Sequence, residues 1–446
     1  MISPSPGSGS GLSRLVWAIA LPAMLTNVAT ALFGLADMWV IGRLGDAPAQ
    51  GAVELGAKFM LGLFLVFNFL RTGTIALTAQ AAGRGDENEQ AAALTRAIAT
   101  SLGIGLILLA LQPVAVKAGL SLLEAHGEVA RHARTYIGIR YWAGAAWLVN
   151  CVLIGWLVGQ RRVKTVLAVE VGANIIHVAL DFALVLGLGW GVAGVAYATV
   201  ASELLKLVAL AILVGLIPAA RLAWASMRSA TTWDIGALKQ MFAINRDLFI
   251  RTLLLTGAML ILTRSGAQQG PVVLAANGIL FQLFILSALL LDGFESAGQV
   301  LCGEARGSDD RARFIQIAKR ALAWGGLTGI AVSALYLWQG GALAATFSTD
   351  PDVVRTTGEY TIWIAVLPII GVASFVLDGI FVGASWTRAM LMTMLAAMAV
   401  YVSILWLASP LSNAELWLAF CVFFAVRAIG QLVLLPRLIA RDFSVS

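Results

Sequence analysis

Charged residues are scarce in this chain, and their scarcity excludes most kinds of soluble protein. Only 12% of the 446 residues are Asp, Glu, Lys or Arg, whereas 60% are hydrophobic, and the mean hydropathy is +0.88. A soluble domain is about one quarter charged and about half hydrophobic. The composition therefore predicts a polytopic membrane protein rather than a soluble enzyme that carries a membrane anchor.

Cysteine is nearly absent, and we find none of the common catalytic motifs. The three cysteines, Cys151, Cys302 and Cys421, lie far apart in hydrophobic segments, so they predict neither a disulfide framework nor a metal site. The chain has no GxxxxGK[ST] phosphate loop, no HExxH zinc motif and no Ser/His/Asp arrangement. We therefore expect a protein that is not an enzyme, has no cofactor and requires no ATPase subunit.

Hydrophobic stretches long enough to cross a bilayer occur twelve times along the chain. A span needs about 20 hydrophobic residues, and the predicted limits are 13–41, 51–81, 93–117, 128–158, 164–187, 191–217, 237–264, 271–303, 315–338, 353–384, 388–409 and 413–436. Residues 1–12 are rich in Pro, Ser and Gly and contain no basic residue. They are predicted to form a disordered leader rather than a signal peptide.

The distribution of Lys and Arg predicts the orientation of these spans. If the N-terminus lies inside, basic residues of the inner loops and tails outnumber those of the outer loops by more than two to one. This excess favours two cytoplasmic termini in a bacterial inner membrane. Because the loops account for the net charge of +6, we expect the lipid bilayer, and no nucleic acid, as a partner.

Two pairs of motifs indicate an internal duplication. Span 2 ends in AQAAGRGDENE (79–89), and span 8 ends in LCGEARGSDDR (301–311). Span 4 contains IGWLVGQRRVK (154–164), which resembles DGIFVGASWTR (378–388) in span 10. The two offsets, about 222 and about 224, agree within a short insertion or deletion, which favours duplication over an accidental likeness of small-residue sequences.

The duplication predicts an all-α architecture of two pseudo-symmetric six-helix bundles. Each half has an even number of spans, so both halves enter from the same side and are related by a pseudo-two-fold axis along the membrane normal. The predicted parts are an N-lobe at 13–217, a cytoplasmic linker at 218–236, a C-lobe at 237–437 and a cytoplasmic tail at 438–446.

Two acidic residues inside predicted spans are the strongest indication of function. Asp37 lies in the outer part of span 1, and Asp181 lies in the outer half of span 5. An ionised carboxylate in hydrocarbon is costly, so an acid kept there marks a functional site by default. The accompanying polar residues of these spans and span 6 are Thr199, His177, Asn174 and Asn27. The group is predicted to hold a proton or to coordinate a small hard cation.

A structural alternative exists for each of the main residues of this group. In a purely structural interpretation, Asp37 caps a helix or reaches the outer interface, and Asp181 pairs with an arginine. His177 would be an interior histidine with satisfied hydrogen bonds, although it lies one turn from Asp181. Thr199 would bond to a carbonyl group of its own helix.

Further buried charges and one proline invite a functional interpretation as well. The buried charges of the possible C-lobe network are Arg251, Asp292, Asp378 and Arg427. We predict structural ion pairs here rather than a second coupling site, because unpaired buried charges are costly. Pro22 lies one-third of the way into span 1 and removes a backbone hydrogen bond, which predicts either a static kink or a hinge coupled to Asp37.

Motifs along nearly the whole chain resemble those of the multidrug and toxic compound extrusion (MATE) family, in particular its DinF-like branch. Spans 1 and 2 carry LPAMLTNVATALFGLADMWVIGRLG and FLRTGTIALTAQAAGRG, and spans 5 and 6 carry LDFALVLGLGWGVAGVAYATVASE. Spans 7, 8 and 10 carry INRDLFIRTLLL, LDGFESAG and LPIIGVASFVLDGIFVGA. Each motif is modest by itself, but together, in order and on the predicted spans, they are specific.

The resemblance implies a V-shaped fold of two bundles and secondary antiport, in which H⁺ or Na⁺ enters as an organic, often cationic or amphiphilic, compound leaves. The acids of the family map to Asp37 and Asp181, its hydroxyl partner maps to Thr199, and its bending proline maps to Pro22. His177 departs from the asparagine that is usual one turn before the second acid. A protonated imidazole is a poor Na⁺ ligand, so this departure favours H⁺.

The sequence therefore predicts a monomeric efflux antiporter that exchanges small organic compounds for H⁺, with protonation of Asp37 as the coupling switch. Coupling to Na⁺, bound at Asp37, Asp181 and Thr199, is the first alternative. A flippase for lipids or lipid-linked precursors is the second, although the count of twelve spans and the acids of the N-lobe argue against it. A glutamate that some relatives carry in span 7 is not evident here.

Overall fold

The computed structural model describes residues 9–122, 126–408 and 411–443, and within these ranges the ordered elements are helices. Twelve segments are long and hydrophobic enough to cross a membrane, which confirms the predicted number of spans. The helices are α1 (Gly9–Gly42), α2 (Ala47–Leu65), α3 (Phe69–Gly83), α4 (Glu87–Leu122), α5 (Gly127–Arg140), α6 (Gly144–Gly159), α7 (Val163–Asp181), α8 (Gly191–Gly215), α9 (Pro218–Ser226), α10 (Ile235–Ala267), α11 (Pro271–Gly307), α12 (Arg311–Ala345), α13 (Pro351–Gly383), α14 (Thr387–Leu407) and α15 (Asn413–Asp442).

Three departures from regular α-helix occur in the first half of the chain. A 3₁₀ turn at Val66–Asn68 separates α2 from α3 within the second span, and another at Tyr141–Ala143 separates α5 from α6 within the fourth. A π-helical turn at Phe182–Gly187 follows α7. Such wide turns are rare and occur most often beside functional sites, and this one begins directly after Asp181.

Two compact units divide the chain. The N-unit comprises Leu25–Asn245, and the C-unit comprises the chain up to Met24 together with Arg246–Ser446. Helix α1 therefore contributes to both units, whereas the sequence placed all of span 1 in the N-lobe. The predicted linker 218–236 contains helix α9 and belongs to the N-unit.

The predicted leader differs in part from the structure. Its residues 1–8 lie outside the described residues, and residues 9–12 are the first turn of α1. Helix propagation adds one hydrogen bond for each residue fixed once a helix exists. The long hydrophobic span therefore extends into a Gly- and Ser-rich sequence that would not form a helix alone.

Close packing in the N-unit explains the two glycines of IGWLVGQ in span 4. A Cβ atom on Gly155 of α6 would lie 2.6 Å from the carbonyl oxygen of Arg71 on α3. A Cβ atom on Gly159 would lie 3.0 Å from the carbonyl oxygen of Ile75, one turn further along α3. Only glycine allows the two backbones to approach this closely.

The C-unit repeats the same contact. Gly379 of α13 packs against the carbonyl oxygen of Glu295 on α11, and Gly383 packs against that of Gln299. Each of these four residues lies 224 positions after its counterpart in the N-unit. The packing supports the predicted duplication, and it places the two-residue change of offset after Gln299, near the end of α11.

Candidate ion site

A buried trio of ionisable side chains lies within the N-unit. The Nε2 atom of His177 lies 2.6 Å from Oδ1 of Asp37 and 3.1 Å from Oδ2 of Asp181. The relative exposures of these residues are 0% for His177 and Asp181 and 2% for Asp37. The structure thus brings together the two predicted acids and His177, one of the polar residues predicted to accompany them.

Two helices position the trio. Asp37 comes from the last part of α1, while His177 and Asp181 lie one turn apart at the end of α7. Residues four apart lie on the same helix face, so one imidazole edge reaches both carboxylates. Because Asp37 belongs to another helix, its contact with His177 ties α1 to α7.

The other edge of the imidazole faces α8. The Oγ atom of Ser202 lies 3.4 Å from Nδ1 of His177 and donates a hydrogen bond of 2.9 Å to the carbonyl oxygen of Thr199. Because the hydroxyl proton of Ser202 is donated to that carbonyl, the hydroxyl oxygen of Ser202 can only accept a hydrogen bond from His177. The geometry therefore favours a proton on Nδ1 of His177.

The short contact between Asp37 and His177 requires a second proton. A carboxylate oxygen and an unprotonated Nε2 atom would both present lone pairs, and two acceptors do not approach to 2.6 Å. The proton lies either on Nε2, between two carboxylates, or on Asp37. A single N–H group cannot form well-aligned hydrogen bonds to two carboxylate oxygens at once. Among the described residues, the carboxylate of Asp181 accordingly has no hydrogen bond of good geometry.

Thr199 and Asn174, two of the other predicted residues of the site, donate hydrogen bonds to backbone carbonyl groups. The Thr199 hydroxyl donates to the carbonyl of Val195 on its own helix at 3.0 Å, which is the structural alternative raised for this residue. The Nδ2 atom of Asn174 donates to the carbonyl of Ala29 at 2.7 Å and so joins α7 to α1. Asn27 precedes Asp37 by ten residues, roughly 15 Å along the helix axis.

Two residues beside the trio, the buried Tyr136 and the partly buried Arg140, were not predicted as part of the site. Arg140 of α5 donates a hydrogen bond of 2.5 Å to the hydroxyl oxygen of Tyr136 and interacts electrostatically with Asp37. Tyr136 also lies within the electrostatic range of Asp37 and Asp181. The guanidinium group therefore supplies a positive charge near the trio without forming an ion pair with Asp181.

The donor atoms of the trio are also close enough for a metal ion. One atom from each residue lies within 4.8 Å of the others. Two carboxylates and an imidazole suit a transition metal such as Zn²⁺ better than Na⁺, which prefers oxygen ligands. The imidazole nitrogen lies between the carboxylates, in the space that a sodium ion bound by Asp37 and Asp181 would need.

Three of the four charges of the predicted C-lobe network, Arg251, Asp378 and Arg427, are joined by ion pairs. Arg251 and Arg427 both donate to Oδ2 of Asp378, the latter at 2.6 Å, and Gln431 donates to Oδ1 at 2.6 Å. Asp292 lies within the electrostatic range of Arg251. Two cations already neutralise Asp378, so the geometry favours a structural network over a second coupling site.

Pro22 lies inside α1, which continues as one helix from Gly9 to Gly42. The boundary between the two compact units falls between Met24 and Leu25, just after this proline. A hinge at Pro22 stays a prediction.

Twelve spans, a duplicated half and a buried ionisable cluster define the class as a polytopic membrane transporter. Comparison with known proteins gives the family. The sequence profile of the MatE family matches residues 22–183 and 248–407. The chain is 32% identical over 417 residues to DNA damage-inducible protein F of Escherichia coli strain K12, which covers 94% of this chain and 90% of that protein.

Proteins of lower sequence identity also match this chain. A probable multidrug resistance protein NorM of Rhizobium meliloti is 24% identical over 299 residues, which cover 67% of this chain and 63% of that protein. A crystal structure of MATE in the straight conformation superimposes with a TM-score of 0.87 at 18% identity, covering 97% of both chains. A MOP superfamily transporter from Pyrococcus furiosus superimposes with a TM-score of 0.86 at 18% identity, covering 99% of this chain and 100% of that one.

The chain therefore belongs to the MatE family of multidrug efflux transporters. This confirms the family and the fold class that the sequence motifs predicted.

Proposed function

We propose that this protein exports small organic compounds across the bacterial inner membrane in exchange for protons. The observation that carries the proposal is the 2.6 Å contact between Nε2 of His177 and Oδ1 of Asp37 in a fully buried site. That contact exists only while a proton lies between the two atoms. The trio is thus built as a proton-binding site that joins two helices.

Protonation of Asp37 is the coupling step of the proposed mechanism. With an imidazolium between two carboxylates the trio carries one negative charge, and a further proton on Asp37 makes it neutral. Charge changes of this kind are large when the surroundings exclude water. Because Asp37 lies on α1 and His177 on α7, the change acts directly on the contact between these helices.

Transport follows if the two access states bind the proton with different affinities. Proton uptake at Asp37 from outside favours release of the organic compound, and proton loss toward the cytoplasm restores binding. The substrates we propose are cationic or amphiphilic compounds, a class suggested by the multidrug resistance relatives and by the two acids of the N-unit. We also propose that both termini lie in the cytoplasm. The transporting unit of the proposal is a monomer.

Transport into proteoliposomes of purified protein tests the proposal. An imposed proton gradient should drive accumulation of ethidium, a fluorescent organic cation, and a Na⁺ gradient at constant pH should not. Asp37→Asn should abolish the response to the proton gradient. Glu128→Gln is the matched control, because this acid is exposed and lies in the same unit. Full proton-driven transport by Asp37→Asn contradicts the assigned role.

Sodium coupling is the second candidate function, because the donor atoms of the trio converge within 4.8 Å. It requires the imidazole of His177 to move away from the two carboxylates. Ethidium transport that follows the Na⁺ gradient and ignores the proton gradient would establish it.

A further inference from the structure

A second buried cluster of charges lies in the N-unit, closer to the N-terminal end of α7 than the trio. The Nζ atom of Lys206 on α8 lies 2.8 Å from Oε1 of Glu203 and 3.5 Å from Oε2 of Glu170 on α7. The side chains are only about one-tenth exposed, at 11% for Lys206 and Glu203 and 10% for Glu170. One ammonium group therefore serves two largely buried carboxylates.

The two carboxylates are not equally satisfied. Glu203 accepts hydrogen bonds from Lys206 and from Nδ2 of Asn150, each at 2.8 Å. For Glu170 the described residues supply only the 3.5 Å approach of Lys206. When all three groups are ionised, one negative charge remains, and a buried carboxylate without a full partner is costly. A proton on Glu170 removes that cost.

Neighbouring helices do not supply the missing partner. Cys151 of α6 interacts electrostatically with the cluster and with Arg71 of α3. Arg140 of α5 lies within the electrostatic range of Glu203, but its hydrogen bond goes to the hydroxyl group of Tyr136. Among the described residues, neither arginine forms an ion pair with Glu170.

The cluster and the trio share two helices. On α7, Glu170, His177 and Asp181 are spaced by seven and four residues, so they lie on one face. Glu170 and His177 are roughly 10 Å apart along the helix axis. On α8, Ser202 contacts Nδ1 of His177 and is followed directly by Glu203. Both clusters therefore lie along the contact between α7 and α8.

We propose that Glu170 is a second proton-binding group of the N-unit and that it receives the proton that His177 releases. This rests on the proposed function, because the transferred proton is the coupling ion. The imidazolium loses the proton at Nδ1, beside the Ser202 hydroxyl, and becomes neutral, while the carboxylate of Glu170 gains it. Lys206 is the positioning residue, since its ammonium group holds both carboxylates of the cluster.

Infrared difference spectroscopy of the full-length protein across a pH titration tests whether Glu170 binds a proton. Wild type should show a C=O stretching band of a buried protonated carboxyl group that Glu170→Gln removes and Glu170→Asp shifts. The exposed control Glu128→Gln should keep the band. A spectrum of Glu170→Gln identical to that of wild type overturns the inference.

Ethidium transport tests the exchange with His177. Glu170→Gln should bind ethidium with the wild-type Kd, yet its proton-driven rate should fall clearly, because the proton released by His177 loses its acceptor. Its solvent deuterium isotope effect should rise, and Glu170→Asp should recover most of the rate. Unchanged rate and isotope effect overturn the inference. Absence of proton-driven transport in wild type instead refutes the proposed function, and the infrared band still decides whether Glu170 binds a proton.

Discussion

At the scale of single residues, His177 lies at the centre of the proposed ion site. Its imidazole occupies the space between two carboxylates, contacts both through one nitrogen and faces a serine with the other. An asparagine at this position would offer a neutral amide instead. A proton-binding group would then become an oxygen ligand beside Asp37 and Asp181.

Replacing His177 by Asn should therefore change the coupling ion. Without the imidazolium, Asp37 and Asp181 repel each other unless a cation or a proton lies between them. We expect proton-driven ethidium transport to fall and a dependence on the Na⁺ gradient to appear when the two gradients are varied independently. His132→Asn is the control, because His132 lies on α5 beside the exposed Glu128. Undiminished proton coupling without Na⁺ would refute this role of His177.

The ion pairs of Asp378 lead to a prediction about stability. Arg427 is 1% exposed and pairs with a carboxylate that is also buried. Arg427→Met leaves Asp378 with one cation in place of two, so the cost should be smaller than the about 3–5 kcal/mol of a buried pair that loses its only partner. The melting temperature in detergent should fall clearly. Arg355→Met, which breaks an exposed pair with Asp352, should leave it almost unchanged, and equal melting temperatures for both variants would count against a stabilising network.

The sequence named the three residues of the trio as candidates but gave no indication of their surroundings. His177 and Asp181 share a face because they are four residues apart, and span depth placed Asp37 in the same layer. Ser202 and Tyr136 gave no such signal. Hydropathy does not fix the rotation of a helix about its axis, so the sequence could not show which groups of α5 and α8 face the imidazole.

At the scale of helices, the sequence located the spans and missed the irregularities inside them. Spans 2 and 4 were predicted as single helices, and the structure interrupts each with a 3₁₀ turn. Span 2 also begins earlier than predicted, because Asp46 caps α2 through a hydrogen bond to the amide of Ala49. Caps and wide turns depend on local backbone geometry that a hydrophobic pattern does not reveal.

The repeated glycine contacts predict unequal effects of alanine substitution. A Cβ atom on Gly379 would collide with the Glu295 carbonyl, whereas one on Gly326 of α12 would meet nothing within 4 Å. Gly379→Ala should lower the free energy of unfolding by roughly 1–3 kcal/mol through overpacking. Gly326→Ala should be neutral or stabilising because alanine favours the helix. Detergent melting curves measure both, and equal effects would refute the packing argument.

At the scale of the whole molecule, the prediction of topology is based on composition and charge. The low content of charged residues predicted the membrane class, and the repeat predicted two equivalent halves, because these properties are summed over many residues. The orientation rests on the loop charges alone. It decides which side of the membrane supplies protons to Asp37, so the proposed direction of transport depends on it.

Cysteine labelling in intact cells can establish this orientation. The native residues Cys151, Cys302 and Cys421 are 6%, 0% and 3% exposed, so a membrane-impermeant maleimide should leave the wild-type protein unlabelled. Thr349 and Ser308 are exposed in the connections before α13 and before α12. With both termini inside, Thr349→Cys reacts in intact cells, whereas Ser308→Cys reacts only after the membrane is opened. The reverse pattern would place both termini outside and would make the protons that drive export enter the site from the other face.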